Sequence, residues 1–237
     1  EDCMFYADGE PIGFYLSKMP DKMCKLADLA NKEFMSKNVK KSLLDRISSV
    51  KTKFKNTATN IGFGVEQMSC ILGSIAPRPH MRRPYATHSS VHSVKSAQTF
   101  IKAMIMLAKE SEHIISEILP EQYKRQSELF KQIPDKWKFA NLFTSSISNY
   151  NISAPYHRDT GNLEGTVNVI ICKKFNSKGG DLNIPDFNAT IGQKDNSMLV
   201  YPVWQNIHGV TPIQPTFDGG YRNSLVFYPL KAFNNCW

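Results

Sequence analysis

The chain has 237 residues, 41% of them hydrophobic and 21% charged, with a formal net charge of +8 and a pI near 9.2. That composition supports one large domain with a sizeable core, and the positive balance would draw a polyanion to the surface without by itself saying what the chain does. The lack of any run of about 18 apolar residues argues against a membrane span. No basic segment followed by an apolar one marks a signal peptide, and with Glu1 in place of Met the expectation is a trimmed or processed chain that resides inside the cell, in cytoplasm or nucleus.

To about Asn60 the sequence is rich in lysine. Met23, Leu26, Leu29 and Ala30 recur at helical spacing, as do Val39, Leu43, Leu44 and Ile47, which predicts two amphipathic helices with basic outer faces. Residues 60–64 form a breaker-rich connection. The stretch 77–85, with three prolines and three arginines, is not helical throughout. Its Arg78, Arg82 and Arg83 either sit on a plain surface loop or meet an anion. His88 and His92 have the spacing of a helical ligand pair, but no glutamate lies between them, and spacing alone is weak evidence for a metal.

Over 96–119, Phe100, Ala103, Met104, Leu107, Ile114, Ile115 and Ile118 predict a helix that stops at Pro120. A second helix is expected over 121–132, ending before Pro134. Beyond this the period changes to two. Strands are expected over 143–150, 166–172, 181–184, 197–201 and 224–228, with turns at Gly179-Gly180, Gly192 and Gly219-Gly220. Helices first and short strands after predict an α+β fold, with helices packed on one side of an antiparallel barrel or sandwich. The organisation expected is one domain, 1–237, with a mainly helical support region over 1–135 and a β core over 136–237. The five cysteines, Cys3, Cys24, Cys70, Cys172 and Cys236, show no close pairing, which disfavours a zinc site or a disulfide framework and points to a reducing compartment.

The chemistry concentrates downstream. His157 and Asp159 are separated by one residue, so on a strand they would share a face. One imidazole and one carboxylate are two thirds of a 2-His-1-carboxylate triad, the ligand set that leaves open positions on a non-haem Fe(II). His208 supplies the third ligand. Taken singly, a histidine or an arginine is more often structural than functional; the ordered set His157-x-Asp159, His208 and Arg222 changes that reading.

This order and spacing resemble the 2-oxoglutarate/Fe(II) dioxygenases. His157-Arg158-Asp159-x-x-Asn162 with Arg222-x-Ser224-Leu225-Val226-Phe227-Tyr228 narrows the resemblance to the TET and J-binding-protein branch, which oxidises the 5-methyl group of pyrimidines in nucleic acid. The resemblance implies a double-stranded β-helix, a jelly-roll or cupin-like core. It further implies Fe(II) on His157, Asp159 and His208 as the catalytic centre, and 2-oxoglutarate and O2 as cosubstrates. Arg222 would clamp the distal carboxylate through its planar fork, aided by Ser224 on the same strand face. Asn162 would reach the target base and Tyr228 would stack on it, in DNA whose target nucleotide is flipped out or single-stranded. Where the cytosine-oxidising animal members carry a base-contacting histidine two residues after this tyrosine, the chain has Leu230, so thymine and 5-methylcytosine both stay open. The rival readings are a 2-oxoglutarate-dependent hydroxylase of a protein side chain or small molecule, and a catalytically inactive DNA-binding jelly roll.

Overall fold

The structure, a computed structural model, describes residues 1–55, 62–78, 80 and 83–234, with backbone alone over 48–55 and 62–65. The chain opens with an antiparallel pair, β1 (Cys3–Ala7) and β2 (Glu10–Leu16), followed by helix α1 (Asp21–Met35). A longer pair, β3 (Arg46–Lys55) and β4 (Gly62–Ile75), and the short β5 (Thr87–His88) lead to α2 (Gln98–Ile118) and α3 (Pro120–Phe130). Then come β6 (Ser145–Tyr150), β7 (Ala154–His157), β8 (Asn168–Phe175), β9 (Ser177–Lys178), β10 (Leu182–Ile184), β11 (Ala189–Ile191), β12 (Ser197–Tyr201), β13 (His208–Val210), β14 (Gln214–Pro215) and β15 (Tyr221–Tyr228).

Eight of these later strands form one long hairpin rolled on itself. In chain order, β6 pairs with β15, β7 with β13, β8 with β12, and β10 with β11, all antiparallel. Pairings of β15 with β8 and of β13 with β10 then close two facing layers, β6-β15-β8-β12 and β7-β13-β10-β11. First with last, second with last but one, and so inward is the jelly-roll arrangement. The larger layer is widened by β2 and β1 beyond β12, and by β4 and β3 beyond β6.

Alternation along the strands separates two cores. Val169, Ile171, Met198, Val200, Leu225 and Phe227 leave the outer face of the larger sheet and pack with Ala27, Ala30 and Phe34 of α1 and Phe100, Met104 and Leu107 of α2. The helices therefore cover one side of the sheet, as the order of elements predicts. Neighbouring residues Ile170, Leu199 and Tyr201 turn inward against Leu182 and Ile184 of the smaller sheet. Pro120 begins α3, where its missing N–H costs nothing. The fully buried Gln126 of α3 ties that helix to the barrel, donating to the Leu142 carbonyl at 2.9 Å and accepting from the Val167 amide at 2.9 Å.

The helix expected over Val39 to Ile47 does not form. A single turn at Lys41–Leu43 leads instead into β3, where Ile47 pairs with Met68 and is half exposed; sheet pairing overrides a short run of helical spacing. Among the described residues of 1–135, strands β1 to β5 stand beside helices α1 to α3. No helix among the described residues is long and apolar enough to cross a membrane. Cys3, Cys24, Cys70 and Cys172 are free thiols.

Candidate active site

The two layers part at one edge, where β7 ends on His157 and β13 begins on His208. These residues are direct cross-strand partners, which brings their rings to 4.5 Å between centroids. Each ring places Nδ1 against a carbonyl of its own segment, His157 on Pro155 at 2.8 Å and His208 on Asn206 at 3.1 Å. A carbonyl only accepts, so each Nδ1 carries a hydrogen, which leaves Nε2 as the nitrogen through which each ring would bind a metal.

Asp159 joins them by a turn and not by strand alternation. The strand stops at His157, and the next residues bend, with the Thr160 amide on the Arg158 carbonyl at 2.9 Å and the Asn162 amide on the Asp159 carbonyl at 3.0 Å. The carboxylate thus returns to the rings, Oδ1 lying 3.4 Å from His157 Nε2 and Oδ2 3.9 Å from His208 Nε2. The three ligand atoms all lie within 4.8 Å of one another. His208 is buried while the side chains of His157 and Asp159 are about 40% exposed, so the cluster sits at a mouth. Burial, with a smaller push from His157, holds the His208 imidazole below its ordinary range against opposing contributions from the Asn206 carbonyl and Asp159. Two neutral imidazole nitrogens and one carboxylate on one side are a donor set that fits Fe(II) and leaves coordination positions open.

Behind the mouth lies a cavity of about 390 Å³. Strand β15 sends every second side chain into it, Arg222, Ser224, Val226 and Tyr228. Arg222 is 2% exposed. Its Nη2 donates to Gln193 Oε1, its Nε has no partner, and none of the ion pairs among the described residues includes it. A buried guanidinium without a carboxylate is costly, so the arrangement fits an anionic group bound in the cavity, such as the distal carboxylate of 2-oxoglutarate. Asn162, 5% exposed, leaves its Nδ2 unpartnered in the same cavity, and a β-bridge to Leu230 holds it beside the end of β15. Burial raises the Tyr228 hydroxyl above its ordinary range, with Asp45 and Asp159 adding to the effect.

All seven residues singled out in the sequence, His157, Asp159, Asn162, His208, Arg222, Ser224 and Tyr228, therefore line one cavity. So do Asn149, Asn168 and Gln193, which carry no signal in a single sequence. Arg78 and Arg83 are not among the lining residues and form a backbone bridge at 2.8 Å; Arg82 lies outside the described residues. His88 and His92 do not form a metal pair. His92 Nε2 accepts from the Gly73 amide at 2.7 Å, while His88 bonds the Lys136 carbonyl and stacks on Trp137.

The likeness to solved structures is one of fold, a jelly roll with helices against its larger sheet. Among solved structures, the chain is similar to NgTET1 in complex with 5mC DNA, over 97% of its own length and 76% of that chain, with a TM-score of 0.65 and 16% identity. Less similar are OsALKBH1 (TM-score 0.45, 12% identity, 96% of this chain and 100% of that one) and the viral collagen prolyl hydroxylase vCPH from Paramecium Bursaria Chlorella virus-1 in its 2OG complex (TM-score 0.35, 10% identity, 55% and 74%). By sequence, the chain matches no protein-family model and no curated protein.

Proposed function

We propose that the chain is an Fe(II)- and 2-oxoglutarate-dependent dioxygenase that hydroxylates the 5-methyl group of a pyrimidine, thymine or 5-methylcytosine, in DNA. The observation that carries this reading is that one cavity holds both the His157, Asp159, His208 set and the buried Arg222, which has no carboxylate partner among the described residues. His157, Asp159 and His208 would hold the iron, and Arg222 with Ser224 the distal carboxylate of 2-oxoglutarate. Iron and cosubstrate, when bound with O2, supply an oxidant that converts C–H to C–OH, the cosubstrate leaving as succinate and CO2.

The protein's own residues orient and shield. The Nδ1–H bonds to Pro155 and Asn206 fix both imidazoles with Nε2 toward the cavity. Ile170 and Val226 give it apolar walls that limit water. Asn162 offers a free donor to a base edge, and the Tyr228 ring offers a stacking surface. A methyl group inside a stacked duplex cannot reach this cavity, so the target nucleotide is extruded or single-stranded. The net charge of +8 favours a polyanionic partner, and the fold likeness to a protein solved with 5mC DNA supports DNA as the substrate class.

Succinate release from labelled 2-oxoglutarate, measured with Fe(II) in the presence and absence of DNA, tests the reading. DNA containing 5-methylpyrimidines should stimulate release. Stimulation by peptides or metabolites but not by DNA would move the activity to another substrate class.

A further inference from the structure

One pair of donors in the cavity is not explained by the arginine clamp alone. Gln193, 2% exposed, lies in the turn between β11 and β12 and accepts from Arg222 Nη2 through Oε1. A guanidinium only donates, so this bond fixes which end of the carboxamide faces the arginine. The free end, Nε2, is buried and has no partner, and Arg222 Nε is in the same condition. Gln193 is also held in place by its backbone: its amide donates to Asp181 Oδ1 at 3.2 Å, and its carbonyl accepts from Lys174 Nζ at 3.4 Å and from the Cys172 thiol at 3.8 Å.

Two buried donors without an acceptor, on residues that line one cavity, are expensive to maintain. A glutamate at 193 would pair with Arg222 and satisfy it without any ligand. Glutamine keeps the contact through its oxygen, leaves the arginine charge uncompensated, and adds a second donor. An anion with two oxygens meets both needs.

Resting on the proposed cosubstrate, we infer that Gln193 is a second anchor for the distal carboxylate of 2-oxoglutarate: its Oε1 orients Arg222 and its Nε2 donates to the carboxylate, which makes the site selective for a dicarboxylic 2-oxo acid. A purely structural Gln193 would affect all ligands alike. Selectivity between two ligands that differ only in the distal carboxylate separates the two roles.

The test is calorimetric titration of Mn(II)-loaded protein with 2-oxoglutarate and with 2-oxopentanoate, which has the same chain length but ends in a methyl group. Wild type should prefer 2-oxoglutarate. Gln193→Ala should lose about ten- to a hundredfold in affinity for it, the range for a hydrogen bond to a charged group, and should bind 2-oxopentanoate much as wild type does. Gln193→Glu, which pairs with Arg222, should abolish the preference altogether. A preference undiminished in folded Gln193→Ala overturns the inference and leaves the arginine clamp standing. If wild type shows no preference for 2-oxoglutarate, the cosubstrate reading fails, and the role of Gln193 fails with it.

Discussion

Asp159 contributes to this protein through its carboxylate and little else. Its backbone hydrogen bonds, to Val203 and Asn162, survive truncation of the side chain, and that side chain is 39% exposed. Asp159→Ala should therefore leave the melting temperature within a degree or two of wild type, while weakening Mn(II) or Fe(II) binding by more than about a hundredfold, since the loss of even an outer-shell partner costs ten- to a hundredfold. Undiminished metal affinity in calorimetry would remove Asp159 from the ligand set. His208 gives the pH dependence. Its folded value is lowered from 6.5, chiefly by burial, so its contribution to stability is present above 6.5 and lost as pH falls through the folded value. Metal binding needs the same neutral ring. Mn(II) affinity should therefore persist below 6.5 and be lost as pH falls through the lowered value of His208; an affinity independent of pH down to the acid unfolding of the protein would contradict the assignment. Arg222→Lys keeps the charge but loses the fork, and 2-oxoglutarate affinity should drop by about one to two orders of magnitude, roughly 1.5–3 kcal/mol. An unchanged affinity would place the clamp elsewhere.

Among the elements, the turn carrying Gly179 and Gly180 sets the position of Arg222. Gly180 has φ +72°, and a Cβ there would stand 2.1 Å from Arg222 Cδ. Gly180→Ala should cost about 1–3 kcal/mol in urea denaturation from backbone strain and, by displacing the guanidinium, should weaken 2-oxoglutarate binding. A destabilised protein with wild-type cosubstrate affinity would show that this turn does not position the arginine. The sequence marks this turn by its glycine pair, but which side chain it shelters follows only from the fold. The same divide runs through the other elements. The helices over Gln98–Ile118 and Pro120–Phe130 are long enough for periodicity and a proline to define them. Val39 to Ile47 mimics a helix over too few residues to resist pairing with β4. The hairpin of β1 and β2 does carry a local signal, Asp8-Gly9, whose φ angles of 52° and 83° are those an Asp-Gly turn supplies. Asp159 was legible as a candidate ligand from chemistry and spacing, yet it reaches the histidines through a turn that alternation does not predict. Gln193 was not legible at all, because a buried glutamine has no sequence signature until its partner is known.

For the molecule as a whole, the change of period after residue 143 makes an antiparallel barrel or sandwich legible, whereas the jelly roll in particular followed only from the resemblance carried by the His157, Asp159, His208 and Arg222 motifs. The pairing of first strand with last was not legible, because contacts as distant as Ser145 with Tyr228 leave no local mark. That closure places the end of β7, the start of β13 and the inner face of β15 around one cavity. The two ends of the inner face, Arg222 and Tyr228, are six residues apart, on the order of 20 Å along the strand, which leaves room for a cosubstrate at one end and a base at the other. On the function we propose, this cavity oxidises a methyl group on a DNA base. Mass spectrometry of nucleosides from 5-methylcytosine-containing DNA, treated with the protein, Fe(II) and 2-oxoglutarate, tests it most directly. A 5-hydroxymethyl nucleoside, from thymine or 5-methylcytosine, should appear with wild type and be absent with Asp159→Ala. Both bases untouched in duplex and in single-stranded DNA would contradict it.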